Sequence, residues 1–516
     1  MANLSDGLTA WRASAGRIID RVAPHPRIEE IGHVTYIGDG VAGISGLARA
    51  GQDELLRFDG GGFGMAVTLE PESIGAVLLS PWQSIAAGGI VRGIGEVVRT
   101  PVGEELLGRV VDPLGQPLDG GPPLSAVTCE PIERPAPAIV DRDLITRPLA
   151  TGITVIDAML PVGRGQRELI IGDRKTGKTA IAAETIINQR DSGVVCVYAA
   201  IGQKSSTVNR LIETVRQLGD PGRCVFVVAA PDGPPGLAWL APYAACTIAE
   251  FFRDRGEDAL LVIDDLTKHA AIHRQLSLLL HRPPGREAYP GDIFYAHSRL
   301  LERGAQLNSD RGGGSLTILP IAETQGGNLS AFIPTNLISI TDGQIILEPK
   351  LFYEGQRPAV DVGKSVSRVG GKTQAPALKA LASHLRLQYA QFLELEVFTR
   401  FGGMIDAHTR GIVDHGQRIR AMLIQAQGRP RALPEQVAGV LALSEGLLDA
   451  LPMPAVMAFQ HGLAGWLMRV CPDIGHRIAR TGTLEPADRA ILLEHLAGWV
   501  ATLDRATPDG ERLWSG

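Results

Sequence analysis

The sequence predicts a multidomain α/β protein with an N-terminal β barrel, a central domain built on a mostly parallel sheet, and a C-terminal helical bundle. Three observations carry that prediction. Short apolar pieces separated by Gly, Asp and Ser fill the region after residue 28, and apolar runs then alternate with helical patterns from about 150 to about 350. Beyond about 374 the strand signals stop and apolar residues recur at intervals of three and four. A length of 516 residues suits about three domains of roughly 150 residues each.

Residues 1–27 read as a short amphipathic arm closed by Pro24 and Pro26, without the basic start and apolar stretch of a secretory signal. From 28 to 96, the pieces HVTYIG, VAGIS, LLRF, GMAVTL, GAVLLS and GGIVRG are each about one strand long, which suits a small antiparallel barrel. Prolines then cluster at Pro113, Pro117, Pro122, Pro123, Pro131, Pro135, Pro137 and Pro148. Proline fixes φ and lacks the backbone donor, so this stretch is expected to be an extended connection. It opens the central domain, 97–373, in which ELIIG, VVCVYAAIG, CVFVVAA and ALLVIDD each precede a helical pattern. Runs that are apolar throughout indicate strands covered on both faces by crossover helices, hence a largely parallel sheet. In the helical domain, 374–516, Leu378, Leu381, Leu385, Tyr389, Phe392 and Leu395 mark the buried stripe of one helix.

Composition removes several classes of function. With 45% hydrophobic and 21% charged residues the chain is neither disordered nor fibrous. The 50 Lys+Arg against 56 Asp+Glu give a net charge of -6, the wrong sign for a surface that tracks nucleic acid. No run approaches the roughly 18 uninterrupted apolar residues of a membrane span, so any membrane association is expected through partners. Cys129, Cys196, Cys224, Cys246 and Cys471 form no C-x-x-C pair and sit mostly among apolar neighbours, as reduced core residues of a cytosolic protein would.

The chemistry starts at Gly172-Asp173-Arg174-Lys175-Thr176-Gly177-Lys178-Thr179, between the strand ELII and the helical stretch AIAAETIINQR. This is G-x-x-x-x-G-K-[ST] in the strand-loop-helix context the motif requires. Its glycines let backbone N–H groups turn toward a polyphosphate, and the helix N-terminus adds partial positive charge. Lys178 suits the β and γ phosphates and Thr179 suits Mg²⁺. ALLVIDD is an apolar strand ending in two carboxylates, so Asp264 emerges at the sheet edge where ligands bind and can support the metal, while Asp265 is better placed to cap the next helix. The strand VVCVYAAIG runs into Gln203, where many ring ATPases of this topology place a water-polarising glutamate. A neutral amide cannot accept a proton, so the site is expected to bind nucleotide and hydrolyse it slowly or not at all.

Longer stretches are more specific than the loop. VGEELLGRVVDPLGQPLDG, TGITVIDAMLPVGRGQRELIIGDRKTGKT, RPPGREAYPGDIFYAHSRLLER, IPTNLISITDGQIILEP and VGKSVSRVGG resemble the alpha subunits of F-type ATP synthases, over a similarity running from about Gly32 to Gln427. The resemblance implies a barrel, a RecA-like P-loop nucleotide-binding domain and a helical bundle. It further implies an alternating alpha3-beta3 hexamer with beta subunits, around a gamma-type central shaft and braced by a peripheral stalk. Such a subunit is largely non-catalytic, retains ATP or ADP with Mg²⁺, and supports ATP synthesis or hydrolysis coupled to H⁺ or Na⁺ transport. Nucleic acid is not a partner, and the membrane is reached only through the complex, at the cytoplasmic face of the bacterial inner membrane.

Carried over residue by residue, the resemblance gives the nucleotide the loop from Gly172 to Thr179 together with Gln203, Gln425 and Gln427, and gives the metal Thr179 and Asp264. Arg368 in SVSRVG matches the arginine that reaches into the beta catalytic site, and Ser339 in ISITDG matches another position near that interface. Spacing alone would read Arg368 as an ordinary salt-bridge residue. Lys175 stands where glutamine is common, Ser205 where arginine is common, and Lys364, Gly371 and Lys372 flank Arg368 unusually. Added positive charge near phosphates would tighten nucleotide retention or alter Mg²⁺ dependence, whereas at positions facing solvent it would be neutral. With a C-terminus that diverges after about 430, these departures suggest an alternate branch of the family. Two other classes compete: an autonomous RecA-like motor, which should carry its own glutamate, and a structural spacer with a vestigial pocket, which should not keep Lys178, Thr179 and Asp264.

Overall fold

Six short strands close on themselves at the start of the computed structural model, which describes residues 30–124, 127–399 and 406–506; the arm expected at 1–27 lies outside the described residues. The strands are Ile31–Gly38 (β1), Val41–Gly46 (β2), Glu54–Phe58 (β3), Phe63–Leu69 (β4), Ser73–Leu78 (β5) and Ile90–Val97 (β6), joined in the order β1-β2-β5-β4-β3-β6 as a closed antiparallel barrel. All six apolar pieces of the sequence are strands. The register Ala42↔Ala76 and Ile44↔Ile74 turns these side chains inward with Leu56, Phe58, Leu78 and Val91. Val41, Met65, Val77 and Leu79 alternate outward and join the core of the central domain, so the barrel is anchored by its outer face. Gly236, in the first turn of the helix Pro235–Asp254, makes that approach possible, because a Cβ there would sit 2.4 Å from the Leu78 carbonyl oxygen.

The proline-rich connection is extended and edge-bound. Arg99–Val102 (β7) pairs antiparallel with Thr128–Pro131 (β9) in a sheet of two strands, where Pro131 costs no central ladder bond. Val110–Val111 (β8) instead joins the large sheet. That sheet adds Glu168–Gly172 (β10), Val195–Ile201 (β11), Cys224–Ala229 (β12), Asp258–Asp264 (β13), Ala305–Gln306 (β14), Ser315–Glu323 (β15), Gly343–Leu347 (β16) and Val366–Ser367 (β17). The order is β8-β12-β11-β13-β15-β10-β16-β17, parallel except that β17 runs antiparallel to β16, while β14 pairs antiparallel with β15. In β11, Val195, Val197, Ala199 and Ile201 face one core and Cys196, Tyr198 and Ala200 the other. Two covered faces explain why these runs show no polar alternation.

Buried charge also holds this domain together. Arg303 and Glu250 are both buried, and the guanidinium donates to both carboxylate oxygens, at 3.1 and 2.5 Å, to Thr247 Oγ1 at 2.7 Å and to the Ile132 carbonyl at 3.0 Å. The helix Pro235–Asp254 continues through Pro242 despite the missing donor, because nearly its whole length is packed in the core. Among the cysteines, Cys196, Cys224, Cys246 and Cys471 are buried and unpaired as expected, but Cys129 is exposed. It lies on the two-stranded edge sheet, whose side chains are not covered on both faces.

The last part is helical. Its helices are Pro376–Thr399, Ala407–Leu423, Leu433–Ser444, Met453–Val470, Pro472–Thr481 and Pro486–Ala506. Proline in the first turn starts five of them, at Pro376, Pro434, Pro454, Pro472 and Pro486, where its missing N–H is no loss. Leu378, Leu381, Leu385, Tyr389 and Phe392 are buried, and Leu395 is half-buried. Trp466 stacks on Trp499 with ring centroids 5.0 Å apart. Among the described residues no helix is long and apolar enough to cross a membrane.

Candidate functional site

The loop from Gly172 to Thr179 leaves the C-terminal end of β10, a strand buried between β15 and β16. At Gly172 a Cβ would meet the Leu347 carbonyl oxygen at 2.6 Å, so only glycine fits. Gly177 takes φ +100°, a left-handed turn that launches the helix Lys178–Ile187. The loop is tied from outside. The Asp173 carboxylate accepts from Thr324 Oγ1 at 2.6 Å and the Gly327 N–H at 2.9 Å, and Thr176 Oγ1 donates to the Asp173 carbonyl at 2.8 Å. Arg174 is exposed and pairs with Glu323 at 2.9 Å, and Lys175 is exposed at φ +63°. Lys178 is buried, and its ammonium donates to the carbonyls of Gly172 at 2.8 Å and Asp173 at 2.5 Å. Burial lowers its pKa from the usual lysine range, against the pull of Glu323, Asp265 and Asp264. A desolvated ammonium held by carbonyls of the same loop is primed to turn to phosphate oxygens.

Facing the loop, Asp264 ends β13 and gathers three donors. Thr179 Oγ1 and the Tyr198 hydroxyl both donate to Oδ2 at 2.7 Å, and Gln203 Nε2 donates to Oδ1 at 2.7 Å. Because the hydroxyl hydrogen of Thr179 goes to Asp264, its lone pairs are left for a cation. Tyr198 escaped the sequence reading; the signal was there, as the one hydroxyl in a run otherwise apolar. Asp265 caps the helix Leu266–Leu279 by accepting from the Lys268 N–H at 2.7 Å. Burial, and next the charge of Asp264, push its carboxyl up to about 6.

Asp264, Asp265 and Gln203 line one cavity of about 970 Å³ with the loop from Arg174 to Thr179, Lys268, Glu323, Phe352, Arg357, Gln425 and Gln427, and Tyr198 lies behind its wall. Gln425 and Gln427 therefore meet the loop, 246 or more positions away in sequence, but on different terms. The Gln425 amide is engaged with the backbone, donating to the carbonyls of Gly152 at 2.7 Å and Arg429 at 2.9 Å and accepting from the Thr154 N–H at 3.2 Å. Gln427 is exposed at the rim. Behind them the Gly428 N–H donates to the buried Glu184, which ties the C-terminal domain to the helix after the loop. Arg357 lies 4.8 Å over the Phe352 ring, a flat surface beside the cavity that no local motif announces. The cavity thus has a cationic end at Lys178 and an end with an aromatic ring and amides, a division suited to a nucleotide.

Arg368 and Ser339 are not part of this cavity. Arg368 follows β17, whose Ser367 pairs with Gly343 at the N-terminal end of β16. Its charge lies beside Glu168, the first residue of β10, whose carboxyl burial raises and Arg368 counteracts. It is exposed, and among the described residues its guanidinium donates to the Ile338 carbonyl at 3.4 Å, next to exposed Ser339. The loop leaves the other end of β10, one strand away, about 13 Å at about 3.3 Å per residue. Lys364 corrects the expectation of extra charge near phosphate: it pairs with Glu348 at 2.7 Å and Asp361 at 3.3 Å. Lys372 is exposed near Arg368 and away from the cavity, and Ser205 opens the helix Ser205–Leu218.

The donors suit Mg²⁺. Thr179 and Asp264 offer oxygen only, and no group of three or more His, Cys, Asp or Glu able to hold a metal occurs among the described residues. A cation that keeps most of its waters and completes its shell with phosphate oxygens needs no fuller cage. Replacing Lys178 with methionine keeps the aliphatic stem and removes the charge. ATP binding by the full chain, followed with a fluorescent analogue, is expected to weaken about 100-fold or more, since hydrogen bonds to charged groups are worth about 1.5–3 kcal/mol each. Unchanged affinity would remove the loop from the site.

Two family models match the chain. ATP synthase alpha/beta family, nucleotide-binding domain, matches residues 152–367, and ATP synthase alpha/beta chain, C terminal domain, matches 374–498. Among the relatives, ATP synthase subunit alpha 1 of Paraburkholderia xenovorans (strain LB400) is 56% identical over 94% of this chain and 94% of its own. ATP synthase subunit alpha 2 of Gluconobacter oxydans (strain 621H) is 56% identical over 93% and 95% of the two chains. ATP synthase subunit alpha 2 of Burkholderia thailandensis is 51% identical over 97% and 96%.

Proposed function

Since the chain belongs to the ATP synthase alpha/beta family, as an F-type alpha subunit, we propose that it binds Mg-ATP in its own cavity without appreciable turnover and lends Arg368 to the catalytic site of a neighbouring beta subunit. The observation that carries the second half is the position of Arg368, exposed at the sheet edge opposite its own phosphate loop. The first half rests on Gln203, an amide hydrogen-bonded to Asp264 where a hydrolytic site needs a carboxylate.

In this reading Lys178 turns from the loop carbonyls to the β and γ phosphates, and backbone N–H groups of the loop and helix start hold the oxygens between them. Thr179 offers its lone pairs to Mg²⁺, Asp264 fixes the threonine hydroxyl, and the Arg357–Phe352 surface and Gln427 bound the base. Bound Mg²⁺ would neutralise phosphate charge. Gln425 acts through the backbone, shaping the wall at Gly152 and Thr154. Arg368 brings five fixed donors and a permanent charge to a developing phosphoryl transition state elsewhere. The chain alternates with beta subunits around a central shaft and reaches the cytoplasmic face of the inner membrane only through the assembled complex, coupling to H⁺ or Na⁺. Its unusual Lys175, Lys364 and Lys372 support an alternate branch of the family, as do names of relatives that number more than one alpha subunit in Paraburkholderia xenovorans.

The test uses the purified full chain. It is expected to bind ATP in the presence of Mg²⁺ and to show negligible hydrolysis, while the native complex yields a beta chain and a membrane rotor by mass spectrometry. Robust turnover by the chain alone would overturn the reading in favour of an autonomous motor.

A further inference from the structure

Tyr198 is almost completely buried, 2% exposed, in a strand whose other side chains are apolar or thiol, and its only polar atom is spent on Asp264. A buried hydroxyl without a partner costs energy, so a phenol in this strand is retained where its hydrogen bond is needed.

A carboxylate offers about four acceptor positions on its two oxygens. Tyr198 and Thr179 fill the two on Oδ2, and Gln203 fills one on Oδ1. One position is left. We propose that Tyr198 is a positioning residue that sets the metal preference of this site: by closing Oδ2 together with Thr179, it leaves Asp264 able to hold a metal-bound water through Oδ1 and unable to grip a cation with both oxygens. The proposal rests on the reading of the cavity as a metal-nucleotide site. Contact through water favours Mg²⁺, which dehydrates reluctantly, whereas Ca²⁺ gains most from direct and often bidentate carboxylate contact. Removing the phenol oxygen would reopen a position on Oδ2 and make bidentate contact available.

The test is Tyr198→Phe in the full-length chain, with ATP affinity measured by calorimetry in Mg²⁺, in Ca²⁺ and in EDTA. The ratio of Mg²⁺-supported to Ca²⁺-supported affinity is expected to fall about tenfold, the scale of one hydrogen bond to a charged group, with the EDTA value unchanged. Cys196→Ala, on the same face of the strand, should leave all three values within about twofold. An unchanged ratio, or equal loss in all three conditions, overturns the proposal while leaving the nucleotide site intact. If Tyr198→Phe fails to fold, the wild-type chain decides: equal support by Ca²⁺ and Mg²⁺ overturns it. A wild-type chain that binds no ATP in any condition overturns the site reading and this proposal with it.

Discussion

Arg368→Ala is expected to slow ATP turnover by the assembled complex about 10³- to 10⁵-fold, the range by which an arginine finger accelerates phosphoryl transfer. Binding of Mg-ATP to this chain should stay within about twofold of wild type, because Arg368 lies outside the cavity, at the N-terminal end of the sheet. Little structural loss should accompany the change, since the side chain is exposed and its guanidinium makes one long contact to the Ile338 carbonyl. Arg368→Lys should recover only part of the rate, because an ammonium keeps the charge and loses the planar fork. Steady-state hydrolysis by the complex, beside nucleotide titration of the variant chain, separates the two effects. Turnover within about tenfold of wild type would reject the role in trans.

Arg303→Met is expected to destabilise the central domain by about 3–5 kcal/mol, the cost of stranding one partner of a buried ion pair. The methionine fills part of the volume but leaves the Glu250 carboxylate buried without its two main donors, and Thr247 Oγ1 loses its donor, while the Ile132 carbonyl keeps only the Thr247 hydroxyl at 3.0 Å. Arg253, which donates to Glu250 at 3.3 Å and to the Arg303 carbonyl at 2.6 Å, limits the damage without replacing the lost bonds. Urea denaturation followed by tryptophan fluorescence should show a lower midpoint. The double variant Arg303→Met with Glu250→Leu should recover a large share, because it removes the stranded charge along with its partner. A single variant as stable as wild type would show the network to be dispensable.

The fold was legible wherever local pattern and burial agree. Six apolar pieces became six barrel strands because each is one strand long and bounded by turn residues, and the unbroken apolar runs became strands covered on both faces. The loop from Gly172 to Thr179 and the pair Asp264-Asp265 were legible because the chemistry of each is written in adjacent residues. What stayed hidden depends on who meets whom. The amide of Gln425 contacts Thr154, 271 residues earlier, and its backbone role cannot be read from LIQAQG. Tyr198 looks like one more strand residue until β11 and β13 lie side by side and aim it at Asp264. Cys129 was grouped with the core cysteines although polar Thr128 and Glu130 flank it, and its strand belongs to a sheet with only two members. Lys364 looked like a cation for phosphate, and Glu348 and Asp361 claim it first.

The phosphate loop and Arg368 stand at opposite ends of the same sheet, and the proposed role of Arg368 turns this into a limit on the symmetry open to the protein. A contact that carries the arginine of one chain toward a nucleotide in the next joins two different surfaces, so it is heterologous. Two chains cannot satisfy it reciprocally across a twofold axis in the way an isologous dimer would. Each subunit gives at one edge and receives at the other, and such head-to-tail contacts must either close into a ring or run on as a filament. The polarity of one mostly parallel sheet would thus give any ring built on that contact a direction around its circumference.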